Sequence, residues 1–258
     1  MGHAGTSRAA STSFLMISER EPLLSPNMPA IAENSLIAGL PRKEGSRFLA
    51  ACEPVELLFD DILAEPGERI RHVYFPKRAF ISITPPNVGH GTVEVGLIGD
   101  EGVLGATLLL GVDVSPLHAL VQGPGSALRI SAATFRRELV HSPALERKLK
   151  RYLYVRMCQL AQAAACNRFH LVEERLARWL LMTHDRAHSN AFHITHDFLA
   201  YLLGVRRVGV TKAATTLQHR ALIRYHRGDI TILNLPGLKA AACECYAADK
   251  ATYAQLMS

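Results

Sequence analysis

Between Leu145 and Ala164 apolar residues return every three or four positions, at Leu145, Leu149, Leu153, Met157, Leu160 and Ala164. That spacing is the period of an α-helix and predicts one continuous helix of about six turns with an apolar stripe along it. Upstream the period changes. "VELLF", "RHVYF", "AFISIT", "TVEVGLIG", "HALVQG" and "SALRIS" are short runs rich in β-branched and aromatic residues, separated by Gly, Pro, Asp and Asn. They predict short strands at roughly ten-residue spacing, as in a β-sandwich or rolled barrel. "SLIAGLPRKEGSR" ahead of them predicts a short helix interrupted at Pro41, and "SAATFRRELV" behind them predicts another helix.

The apolar stripe needs a partner. Packing on the strands of the same chain would cover it; the small residues of "LAQAAAC" favour close pairing with the same helix of a second chain, which makes the stripe a dimer seam.

Downstream, "VEERLARWLLMTHDRA" predicts an amphipathic helix with Leu176, Trp179, Leu180 and Thr183 on one side. Two short helices and a hairpin follow. Two helices crossing at a tight turn need a small residue where they approach, a residue tolerant of positive φ in the turn, and a branched apolar residue facing back. Ala200, Gly204 and Val210 meet those needs. If the second helix runs from about Arg206 to His219, then Val210, Ala213, Ala214 and Leu217 face inward. Arg207, Val208, Thr211, Lys212 and Thr215 then face outward, in a basic surface free of acidic side chains. A helix with such a surface fits the major groove of DNA, where Arg and Lys donate to guanine and Thr reaches a base edge or a thymine methyl. "LIRYHRGDITIL" alternates about a turn and predicts a two-stranded wing, with Arg224, His226 and Arg227 placed to hold phosphates.

Charge strengthens this picture. The 258-residue chain carries a net charge of +6, and from Ala191 to Leu235 six Arg or Lys stand against two Asp. Most of the excess charge therefore sits in about a sixth of the length. The rest of the composition, 48% hydrophobic and 20% charged, is that of an ordinary folded chain. Five scattered cysteines do not read as a secreted disulfide framework, and there is no membrane-length apolar run and no signal peptide, so a cytoplasmic protein is expected. Residues 1–34, rich in Ser, Pro and Ala, read as a flexible extension. Gly2 and Thr6 formally match an acylation pattern, and Met16 and Met28 are possible later starts.

With these residues in view, "RFHLVEERLARWLLMTHDRA" running into the helix-turn-helix and wing resembles the Crp/Fnr family of bacterial transcription regulators. The likeness spans roughly residues 35–245 and is most specific from Arg168 to Leu233. It implies an α+β fold: a β-roll sensor domain like those that bind cyclic nucleotides (35–140), a dimerisation helix (141–168), a winged helix-turn-helix (169–245) and a C-terminal tail (246–258). It also implies a homodimer on a near-palindromic operator in double-stranded DNA, with RNA polymerase as a partner. Arg206 falls at the start of the recognition helix, and Arg207 and Lys212 fall where members contact bases. Val208 stands where members responsive to cyclic AMP carry an acidic residue, so the operator should differ from theirs.

"GLIGDEGVLG" sits where the family has its phosphate-binding loop, which makes Asp100, Glu101 and Gly102 the candidate effector loop. The later segment "VSPLHALVQ" lacks the arginine that a buried phosphodiester needs, so an effector other than cyclic AMP is expected. The clustered amino-terminal cysteines of the iron–sulfur branch are also missing. Cys243 and Cys245 form a C-x-C, but two thiols do not complete a metal site, so no metal or cofactor is expected.

Rival readings remain. His72, His90 and Glu94 suggest a cupin-like metal enzyme, although the usual His-x-His pair is missing and no catalytic residue is assigned. His184, His188, His193 and His196 could form a metal-sensing cluster. A dimeric protein-binding adaptor would leave the basic helix merely solvated.

Overall fold

The computed structural model describes residues 34–86 and 92–258. The possible acylation site, Met16, Met28 and His90 lie outside these. Pro41 divides the first helical segment into α1 (Ser35–Ala38) and α2 (Arg42–Ala50), because a proline cannot donate to the preceding turn. Asn34, assigned above to the extension, belongs to the fold. Its buried side chain caps α1 through Leu36 N and donates to the carbonyls of Pro76 (3.0 Å) and Gly102 (2.8 Å).

Seven strands follow: β1 (Glu53–Leu57), β2 (Ile62–Ala64), β3 (His72–Pro76), β4 (Phe80–Thr84), β5 (Gly96–Ile98), β6 (His118–Gly123) and β7 (Gly125–Ser131). They form two antiparallel sheets in the orders β1-β7-β3 and β2-β6-β4-β5. Their alternate side chains supply two cores. Val73, Phe75 and Ile130 pack with Phe48 and Phe135, and Tyr74, Ile81, Ile83, Val121 and Ala127 pack together on the other side.

"TVEVGLIG" gives a shorter strand than its pattern predicts. Val95 N still donates to Ile83 O of β4 at 2.9 Å, but Glu94 N donates to Leu202 O at 2.8 Å, so one residue farther from β5 the backbone bonds to the helix-turn-helix.

Ser131 caps α3 (Ala132–His141), and Ser142 caps α4 (Pro143–Phe169), with Pro143 in the first turn where no donor is needed. The apolar stripe of α4 is divided between two uses. Leu145 and Leu149 are fully buried with Phe48 and Phe135 of their own chain, which removes them from the seam expected of them, and Leu153 packs against the same core. Met157 at 65% exposure and Leu160 at 41% stand open, and Ala164 is exposed beyond them.

The carboxyl-terminal part consists of α5 (Val172–Ala187), β8 (Ala191–His193), α6 (His196–Leu203), α7 (Arg207–His219), β9 (Ile223–His226), β10 (Asp229–Ile232), α8 (Leu235–Ala241) and α9 (Cys245–Met257). Leu176, Leu180, Leu199, Leu203, Val210, Leu217 and Ile230 share one core. The wing has three strands in the order β8-β10-β9, not the expected two, because "AFH" pairs with Asp229–Thr231.

The expected C-terminal tail is also corrected: it forms α9, packed along α4. Its inward positions, Tyr246, Asp249, Tyr253 and Met257, include a charged residue, which spoils the apolar period. Asp249 is held there by Arg178 at 2.6 Å. Among the described residues, no helix is long and apolar enough to cross a membrane.

Candidate nucleic-acid interface

Thr195 starts α6 by accepting from Phe198 N (3.3 Å), and Gly204 ends it in the left-handed region at φ +62°. A side chain at Gly204 would be strained in that conformation and would press on Val93. Beyond Gly204, Val205 N returns to Ala200 O at 3.0 Å and closes the turn. α7 then packs on α5 and α6. Val210, Ala213, Ala214 and Leu217 face inward, while Arg206, Arg207, Val208, Thr211, Lys212 and Thr215 are all exposed.

The first turn of α7 contains no acidic residue, so its unpaired N–H groups and the positive end of its dipole reinforce the side-chain charge. The outward surface is nonetheless not free of carboxylates. Asp197, reaching across from α6, places Oδ1 3.3 Å from Arg207 Nε. Both side chains are more than half exposed, so the pair is weak and Arg207 can exchange it for another anion.

Thr211 Oγ1 donates to Arg207 O at 3.1 Å and lies 3.1 Å from His196 Nδ1. Burial, and then the charge of Arg207, hold His196 below the ordinary histidine range. His196 stacks on Tyr225 of β9 at 4.3 Å between ring centres, which braces the wing against α6. At the wing tip Arg227 and Gly228 have φ of +50° and +94°, the double left-handed turn that suits a two-residue hairpin. Arg224, His226 and Arg227 are exposed there. The pairing of Asp197 with Arg207 and the stacking of His196 on Tyr225 are not legible in the sequence, because only the crossing of α6 over α7 and the wing brings these residues together.

The four histidines weighed above as a rival metal-sensing cluster each have a partner of their own. His184 faces Asp185 (3.6 Å), His188 faces Asp100 (3.5 Å), His193 binds Asp229 (2.8 Å) and His196 stacks on Tyr225.

The cupin-like triad fares no better. Glu94 accepts from Ser82 Oγ at 2.6 Å and from Trp179 Nε1 at 3.0 Å, while His72 lines a cavity.

That cavity, of about 350 Å³, lies between the β-roll and α4. Arg69, Arg71 and His118 contribute polar groups, and Leu153, Arg156, Met157 and Leu160 close it from the helix. The candidate effector loop requires correction, since Asp100, Glu101 and Gly102 are not part of the lining; Val103–Thr107 and Ser115–Ala119 are. Glu101 is committed elsewhere, accepting from Arg186 Nη2 at 2.5 Å and from Gly99 N at 3.1 Å.

Cys243 and Cys245, the C-x-C pair, meet Cys166 of α4 and His170, which caps that helix. The count of two thiols that argued against a metal therefore does not stand.

Residues 174–241 match the family model of the Crp-like helix-turn-helix domain. Those residues are a Crp-like helix-turn-helix domain. Solved structures share the fold of the chain. A Eubacterium rectale protein described as a transcriptional regulator of the Crp/Fnr family aligns with a TM-score of 0.64 at 15% identity, over 81% of this chain and 99% of its own. FixK2 from Bradyrhizobium japonicum aligns at 0.63 and 14% identity, over 74% and 98%. CLP from Xanthomonas campestris, described as a c-di-GMP responsive global regulator, aligns at 0.58 and 17% identity, over 74% and 99%. No curated protein matches the sequence.

Proposed function

We propose that the chain is a Crp/Fnr-type transcription regulator, working as a homodimer that reads a near-palindromic operator through paired α7 helices. The observation that carries this reading is the exposed surface formed by Arg206, Arg207, Val208, Thr211, Lys212 and Thr215 at the amino end of a helix with no acidic first turn. Arg207, Lys212, Thr211 and Thr215 reach base edges, and Val208 offers an apolar contact to a thymine methyl. Arg206, Arg224, His226 and Arg227 hold flanking phosphates and fix the register. Met157, Leu160 and Ala164 form the twofold seam of the dimer, as their exposure on one side of α4 supports.

The 350 Å³ cavity is the effector site. Its ligand is not cyclic AMP, since the segment Ser115–Ala119 presents Ser115, Pro116 and His118 where the resemblance implies an arginine. Bound to its operator, the dimer acts on RNA polymerase.

Selection of binding sites from random duplexes by the full chain tests the reading. An inverted repeat with half-sites one helical turn apart is expected, with affinity falling steeply as salt rises. A surface that is merely solvated would select no motif.

A further inference from the structure

The last turn of α4 carries Cys166, and His170 caps the helix, its N–H donating to Cys166 O at 3.2 Å. Cys243 lies in the turn between α8 and α9, and Cys245 opens α9. The fold brings the two pairs together. Cys166 Sγ lies 3.6 Å from Cys243 Sγ, Cys245 Sγ lies 3.4 Å from His170 Nδ1, and all four atoms fall within 4.8 Å of one another. The three cysteines are buried and form a small cluster of their own, apart from the main cores.

We propose that Cys166, His170, Cys243 and Cys245 bind one zinc-class divalent ion in a tetrahedral Cys3His site. An ion about 2.3 Å from sulfur and 2.0–2.1 Å from nitrogen sets neighbouring ligands roughly 3.5–3.8 Å apart. The two closest pairs already stand at that separation, and the remaining pairs need to close by about an ångström or less. Thiolates of a polynuclear iron–sulfur cluster bind different iron atoms and would have to lie farther apart than these do.

The surroundings suit the same ligand set. Glu244 Oε1 accepts from His170 Nε2 at 3.1 Å, which leaves the lone pair on Nδ1, the nitrogen that faces the thiols. Gln162 Nε2 donates to Cys245 Sγ at 2.9 Å, a bond suited to a thiolate acceptor. On binding, each thiol gives up its proton to solvent. Three thiolates and a divalent ion leave one net negative charge, and Arg175 and Arg178 flank the cluster, lining the same small hollow as Cys166.

Four protein ligands complete the coordination shell, so the ion is structural and holds no position for a substrate. It fastens the carboxyl end of the long helix to the start of α9, at the point where α4 gives way to the DNA-binding part. This site is independent of the operator and effector readings.

The full-length protein, purified under reducing conditions and loaded with zinc, should contain one zinc per chain by elemental analysis. Cobalt(II) in its place should give the intense visible absorption and thiolate charge-transfer bands of a tetrahedral sulfur-rich site. His170→Ala should abolish stoichiometric metal, and Cys52→Ser with Cys158→Ser should retain it. Glu244→Gln should weaken zinc affinity about 10- to 100-fold, since it removes a partner to a ligand and not the ligand itself. Less than stoichiometric zinc together with no charge-transfer band in the reduced wild type would overturn the site. So would full zinc content in His170→Ala with unchanged affinity. The cobalt spectrum of the wild type decides the matter even if a cysteine variant fails to fold. Metal-free reduced protein that merely forms a Cys166–Cys243 disulfide on oxidation would count against the proposal.

Discussion

Arg186 Nη2 donates to Glu101 Oε1 at 2.5 Å, which anchors the last turn of α5 in the loop after β5. Both side chains are largely shielded, at 10% and 24% exposure. Burial works against the charge of Arg186, and Glu101 more than offsets it, so the guanidinium stays charged and depends on this carboxylate. A shielded pair of this kind is costly to break on one side, because the remaining charge is left without a partner.

Glu101→Gln keeps the shape and removes the charge. It should destabilise the protein by about 3 kcal/mol, measured by chemical denaturation, and should raise hydrogen exchange in the last turn of α5. A change under about 0.5 kcal/mol, the level of an ordinary surface substitution, would show that solvent screens the pair.

Glu94 should give stability a pH dependence. Burial pushes its carboxyl up to about 7 from an ordinary 4.5, against hydrogen bonds from Ser82 and Trp179. Below about 4.5 the folded and unfolded chains both hold the proton, and between there and about 7 only the folded chain does. Folding therefore takes up a proton in that window, and stability falls as the pH rises through it, by on the order of 3 kcal/mol from this group. Thermal unfolding from pH 4.5 to 8 should show the decline, and Glu94→Gln should flatten it. An identical slope in both proteins would assign the effect elsewhere.

Arg207 and Asp197 should act on DNA in opposite directions. Arg207→Ala should weaken operator binding by about 1–3 kcal/mol and relax preference at one base pair in each half-site. Asp197→Asn releases Arg207 from its surface partner, so affinity should rise, and most at low salt. Titration of both variants against the selected operator and a scrambled duplex separates loss of base reading from loss of phosphate contact. Normal binding by Arg207→Ala would remove it from the recognition surface.

Met157→Glu with Leu160→Glu should yield monomers with little operator affinity, since both residues are open to solvent in the single chain. The fold should survive, because neither belongs to the buried core that holds Leu145 and Leu149. Sedimentation that still shows dimers would place the seam elsewhere.

The helical period of Leu145–Ala164 located α4, and the spacing of Ala200, Gly204 and Val210 located the helix-turn-helix, because each is a local pattern that packing then enforced. What stayed hidden depends on contacts between distant segments. Leu145 and Met157 belong to one stripe in the sequence, yet the β-roll covers only the amino-terminal end of α4, so the two meet different surroundings. Asp100 and Glu101 sit in a loop of the expected kind, but Arg186, 85 positions away from Glu101, turns that carboxylate away from the cavity. Cys166 and Cys243 are 77 positions apart, and no spacing rule links them.

The bond from Glu94 N to Leu202 O joins main chain to main chain, so substitution of side chains cannot delete it. An engineer who grafts another reading head onto this sensor by cutting near His170 would retain the donor and replace the segment that supplies the acceptor. A working chimera would therefore need its crossover chosen so that residues 92–95 travel with α6, or a new head whose first helix ends with a carbonyl in the same place.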